Sequence, residues 1–180
     1  MIFQLFNFNL CKKGKKGFFV KKRIQIFTDG ACLGNPGPGG WAALLIYNKH
    51  QREIFGGVIH TTNNRMEMQA AIEALKSLKE GCIINLYTDS SYLKNGILEW
   101  VPKWIKNGWK TSNKKSVLNQ DLWLELLELL PDHSITWHWV KGHSGHKENE
   151  RVDHLARAAA LEIQIKETKE NLKKDEDKKN

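Results

Sequence analysis

Two short strings in this 180-residue sequence read alike, Phe27-Thr28-Asp29-Gly30 and Tyr87-Thr88-Asp89-Ser90. Each puts an aspartate at the C-terminal end of an apolar, strand-like run. In open α/β sheets, sites form at the carboxyl ends of parallel strands. If the two strands are neighbours, Asp29 and Asp89 face each other across one strand spacing. Carboxylates that close repel unless they share a proton or a cation. Two further acids flank helical apolar stripes. Glu67 falls about a quarter-turn from the centre of the stripe formed by Met68, Ala71, Ile72 and Leu75, at the boundary between core and solvent. Asp153 holds a similar place beside Val152, Leu155, Ala156 and Ala159. Taken singly, each helical acid reads most simply as a surface residue, and Asp29 as the polar lip of a hairpin. Taken together, these carboxylates, with no cysteine or histidine pair at ligand spacing, suit a hard oxygen-seeking cation. Magnesium or manganese fits, and zinc does not. Two such ions ~3.5–4 Å apart can clamp the attacking and leaving oxygens of a phosphodiester.

The elements that must carry these acids follow from pattern. Ile24 and Ile26 alternate around Gln25, so a strand starts near Arg23. Runs 41–48 and 53–60 predict two more strands, joined by a turn over 48–52, with a bulge at Gly56-Gly57. A helix follows, capped by Thr62 or Asn63 and ending near Glu80-Gly81. Residues 82–88 predict a short strand, and a helix begins near Ser90. Pro102 and Gly108 interrupt the next region. Residues 121–130 form an apolar helix stopped by Pro131, residues 135–140 a β-type run, and residues 148–163 a closing helix. The order implies an α/β sheet in which three antiparallel strands are followed by strands joined through helical crossovers.

Charge divides the chain further. Residues 1–23 hold six lysines and one arginine with no acid. Residues 92–120 hold six lysines against Glu99 alone. These two patches, +7 and +5, together exceed the net charge of +8, so the rest of the chain is net acidic; they point to a polyanion partner as readily as to a solubilising face. Residues 1–22 read as a basic extension, 23–161 as the folded domain, and 162–180, with six acids and six lysines, as a charged tail whose end, NLKKDEDKKN, is solvated and either disordered or frayed helix. No run reaches the ~18 apolar residues of a membrane span. The apolar start precedes its lysines, an order that argues against a secretory signal. Cys11, Cys32 and Cys82 are odd in number and widely spaced, which predicts no disulfide framework and a cytoplasmic location.

Five blocks then stand out: FTDGACLGNPGPGGW, TTNNRMEMQAAIEAL, YTDSSYL, WVPKWIKNGWKT and WHWVKGHSGHKENERVDHLARAAA. Together, over about residues 23–161, they resemble type 1 ribonuclease H, especially its bacterial form. The resemblance implies a mixed five-stranded sheet flanked by helices on both faces. It implies magnesium-dependent hydrolysis of the RNA strand of an RNA–DNA hybrid, giving 5′-phosphate and 3′-hydroxyl ends, with manganese able to substitute. It implies that Asp29, Glu67, Asp89 and Asp153 hold two ions, and that His143, in a glycine-flanked loop, assists proton transfer or product departure. Cys32, Gly34, Asn35, Asn63 and Asn64 resemble the family's readers of the minor groove, where RNA displays its 2′-hydroxyls. Thr62 and Asn119 resemble its DNA-phosphate contacts. Ser91 stands where the family often has glutamine. Trp100 and Trp104, interleaved with Lys106 and Lys110, resemble a basic protrusion, its tryptophans packing the insertion while its lysines meet phosphates. His138, between two tryptophans, reads as structural. Neither a membrane nor an obligate protein partner is implied, and a monomer is expected.

Overall fold

The computed structural model describes residues 21–142 and 145–177. The basic extension, except for its last two residues, and His143 lie outside the described residues. Strand β1 (Arg23–Cys32) alternates Ile24, Ile26 and Thr28 toward one face of the sheet. It pairs antiparallel with β2 (Gly37–Tyr47), which pairs antiparallel with β3 (His50–Thr61). Helix α1 (Asn63–Lys76) then crosses to β4 (Ile83–Thr88), which lies parallel to β1. Helix α2 (Ser91–Asn95), a π-helical turn (Gly96–Trp100), α3 (Val101–Lys106) and α4 (Gln120–Leu129) precede β5 (Ser134–Trp139), parallel to β4. Helix α5 (Lys147–Asp177) closes the described chain. The sheet order is β3-β2-β1-β4-β5, so β1 is central, and the mixed five-stranded architecture is the expected one.

Helices cover both faces. On one, Met68, Ile72 and Leu75 of α1 and Trp123 and Leu126 of α4 bury against Ile26, Ile84 and Leu86. On the other, Val152 and Ala156 of α5 pack on Phe27, Ala42 and Leu44. Phe27, Tyr87 and His138 stack across three neighbouring strands, with centroids 4.6 Å and 4.5 Å apart. His138 Nε2 also meets Asn85 Oδ1 at 3.0 Å, in keeping with a structural role.

Several boundaries differ from expectation, each for a local reason. Helix α1 stops at Lys76, short of Glu80: the Leu78 N–H turns to the Leu75 carbonyl three residues back, and Ser77 Oγ donates to the Ala74 carbonyl at 2.8 Å. The bulge between β2 and β3 lies one step beyond Gly57, where pairing passes from Gly39–Val58 to Gly37–Thr61. Gly57 instead admits α5: a Cβ there would come 2.4 Å from Ile163. Pro102 does not interrupt a helix. It sits two residues past a π-helical turn within a helical run that is unbroken from Ser91 to Lys106, so a wider turn, and not a break in the helix, accompanies the proline. Helix α5 runs on from Ile163 to Asp177, so the charged segment 162–177 is helical. Its residues include the i,i+4 pair Glu162–Lys166 at 2.6 Å, a spacing that supports exposed helix.

Candidate active site

The parallel β1–β4 register runs to Phe27 opposite Tyr87, and two steps further it sets Asp29 opposite Asp89. Helix α1 enters beside them at very short range. A Cβ on Gly30 would lie 2.2 Å from the Glu67 backbone nitrogen, so only glycine permits the approach. That contact answers why glycine follows the strand-end aspartate. It also drives Glu67 further inward than periodicity predicts: its side chain is buried and not at the edge. Carboxylate oxygens of Asp29, Glu67 and Asp89 lie within 4.8 Å of one another.

Electrostatics follow from that crowding. Burial, then the charges of Asp89 and Asp153, push Asp29 up to about 8, against one opposing hydrogen bond from Gly30 N at 2.8 Å. Burial, then the charges of Asp29 and Asp89, holds Glu67 well above the ordinary carboxylate range. Glu67 Oε1 accepts from Asn63 Nδ2 at 3.5 Å, whereas Oε2 is buried without a hydrogen-bond partner. Two buried acids driven toward their neutral forms, with an orphaned oxygen, make a site whose ionised state calls for a cation. The donor set is all oxygen, which suits a hard divalent ion.

Asp153, on the second turn of α5, lines the same cavity of about 450 Å³. Its Oδ1 accepts from Arg157 Nε at 2.7 Å, so it stands beside the buried triad and already carries a cationic partner. Arg157 was not legible as part of the site, although its i,i+4 spacing from Asp153 put both on one helical face.

The expected groove readers divide into two groups. Cys32, Asn63 and Asn64 line the cavity, together with Ser91 and Tyr92. Gly34 and Asn35 do not line it. Asn35 Oδ1 accepts from the Asn63 backbone N–H at 2.9 Å, so the glycine-rich turn caps α1, while Thr62 takes the N-cap position without a side-chain capping bond. Cys32 Sγ meets the Thr61 carbonyl at 3.3 Å, which ties the turn to the end of β3.

Further along, Asn119 bridges two elements. Its Nδ2 donates to the Tyr92 hydroxyl at 3.1 Å and its Oδ1 accepts from Arg65 at 3.3 Å, while Arg65 pairs with Asp121 at 2.6 Å. Trp104 packs on Trp100, Trp109 and Trp123, with centroids 5.7, 6.3 and 5.9 Å away. Lys103, Lys106, Lys110, Lys114 and Lys115 are all exposed around that aromatic stack. The rings therefore build the protrusion and the lysines form its surface.

The family model for RNase H matches residues 21–161. A ribonuclease H of Pseudoalteromonas atlantica is 60% identical over 139 residues, 77% of this chain and 91% of that protein. The solved structure of LC9-RNase H1, described as a type 1 RNase H with the type 2 active-site motif, superposes with a TM-score of 0.74 at 32% identity, covering 82% of this chain and 76% of the other. LC11-RNase H1, solved in complex with an RNA/DNA hybrid, shares the fold with a TM-score of 0.56 at 21% identity, over 78% of this chain and 99% of its own. A family model matched over most of the chain, and a relative 60% identical over nearly its whole length, show that the chain belongs to the ribonuclease H family.

Proposed function

We propose that this protein is an endonuclease that hydrolyses the RNA strand of RNA–DNA hybrids, working at the carboxylates gathered where β1 and β4 end. The observation that carries this reading is the triad itself: three acids with oxygens within 4.8 Å, two of them buried, at the carboxyl end of the central strand. Asp29, Glu67, Asp89 and Asp153 would hold divalent cations, magnesium by their oxygen-only character, with manganese able to replace it. When bound, such ions offset negative charge on the attacking and leaving oxygens of a phosphodiester.

The chain's own residues supply positioning. Gly30 lets α1 bring Glu67 against the strand end. Asn35, by capping α1, sets the direction of Asn63 and Asn64 along the cavity rim. Small polar groups and bare backbone there suit the shallow minor groove of a hybrid and its 2′-hydroxyls. Thr62 and Asn119 stand as phosphate contacts for the DNA strand, and Lys106 and Lys110, on the protrusion built by Trp100 and Trp104, extend that contact. His143, four residues before α5 in the sequence, serves as the proton carrier, a role that histidine side chains can fill. Hydrolysis leaves 5′-phosphate and 3′-hydroxyl ends. Among the described residues no helix is long and apolar enough to cross a membrane. We place the protein in the cytoplasm as a monomer that needs no protein partner.

The solved relative that carries an RNA/DNA hybrid supports the substrate assignment. The test is cleavage of end-labelled hybrid, duplex RNA and duplex DNA with magnesium or with chelator. Cutting confined to the RNA strand of the hybrid, and only with magnesium, is expected. Equal cutting of duplex DNA, or an intact hybrid, would overturn the proposal.

A further inference from the structure

Helix α5 presents Asn149, Val152 and Ala156 to the interior on one inward face. The first of these is an amide where packing alone would favour an apolar residue. Asn149 is 2% exposed, and its Oδ1 is buried with no hydrogen-bond partner. Burying an unsatisfied carbonyl is unfavourable, so fold stability does not explain the residue. Its other end does. Asn149 Nδ2 donates to Asp89 Oδ2 at 3.4 Å.

Asp89 is otherwise held only in part. Trp139 Nε1 donates to its backbone carbonyl at 3.0 Å, which fixes the main chain. Gly142 walls one side of the carboxylate, since a Cβ there would come 2.7 Å from Oδ2. The remaining freedom is rotation of the carboxylate plane, an sp³–sp² torsion that is intrinsically broad. A triad whose oxygens must converge on one ion needs that torsion set. A neutral amide can set it without supplying a competing positive charge, as lysine or arginine would.

We propose that Asn149 is a positioning residue that orients the Asp89 carboxylate for the divalent cation. The inference rests on the metal-dependent reading of the site given above. It predicts an unusual pairing of effects for Asn149→Leu, which keeps the branched outline of the side chain and removes both polar ends. In chelator, the variant unfolds at the same denaturant concentration as the parent or a higher one, because the orphaned carbonyl is gone. Its affinity for Mn²⁺ alone, measured by calorimetric titration without nucleic acid, falls about tenfold or more, the usual consequence of removing a partner from a metal ligand. Hybrid binding in chelator stays unchanged.

Asn149→Ala reads the same affinity and covers the case in which leucine cannot be accommodated. A merely structural role gives the reverse pattern, with stability reduced and Mn²⁺ affinity within twofold of the parent, and that result overturns the proposal. If the parent binds Mn²⁺ and both variants bind it equally, the positioning role fails alone. If the parent itself binds no Mn²⁺, the reading beneath it fails as well.

Discussion

Replacing Asp29 with asparagine keeps the shape of a buried group and removes its titration, which lets the cost of the site be weighed without metal. The folded chain holds the Asp29 proton up to about pH 8, against 3.8 for the free side chain. Between those values the folded state binds one more proton than the unfolded state, so stability falls as pH rises, by ~1.4 kcal/mol per pH unit at most. From about pH 5.5 to about pH 7.5, Asp29 alone removes roughly 2–3 kcal/mol. Glu67, shifted the same way by burial and by Asp29, adds to the loss. His133 and His138 oppose it, because burial lowers their pKa and their folded forms prefer higher pH. Comparing the parent with D29N cancels those histidines. Urea unfolding in chelator at the two pH values is the assay. Relative to D29N, the parent should lose about 2 kcal/mol or more between them, and added magnesium should shrink that deficit by binding the ionised, folded form. Parallel pH profiles for the two proteins, within about 0.5 kcal/mol, would refute the claim that crowding and burial strain this carboxylate.

Other expectations follow from the same geometry. In the presence of magnesium, D29N should cut hybrid at least about 10³-fold more slowly, the equivalent of ~4 kcal/mol, while filter binding shows hybrid affinity retained. Gly30→Ala must part β1 from α1, because its Cβ would meet the Glu67 backbone at 2.2 Å; a loss of about 3 kcal/mol, seen as a lower denaturation midpoint at unchanged slope, is expected. Replacing Lys106 and Lys110 together with alanine should raise KM with little change in kcat. It should also flatten the dependence of hybrid binding on salt, by about one unit of slope for every phosphate the lysines no longer neutralise.

Much of the site was readable because it depends on periodicities of two and 3.6. Apolar strands ending in Thr-Asp announced themselves at residues 27–29 and 87–89, and the helical stripe around Met68 placed Glu67 on the correct side of its helix. What escaped depends on tertiary approach. The depth of Glu67 is set by Gly30, a residue on another element. The pairing of Asp153 with Arg157 and the donation from Asn149 to Asp89 need helix α5 docked on the sheet before they have meaning. The capping of α1 by Asn35 escaped too, since nothing in the chain order says that residue 35 and residue 63 meet. Composition alone left the end of the chain open between a disordered tail and a frayed helix, because lysine and glutamate serve a solvated coil and an exposed helix equally well; α5 continues through it to Asp177.

The central claim is that the buried carboxylates at the end of β1 hold the catalytic cation. Anomalous diffraction from crystals grown with manganese tests it most directly. The account predicts an anomalous peak within ligand distance, ~2.0–2.2 Å, of oxygens from Asp29, Glu67 and Asp89. A manganese ion bound elsewhere, with those three carboxylates free of metal in a protein that still cleaves hybrid, would contradict it.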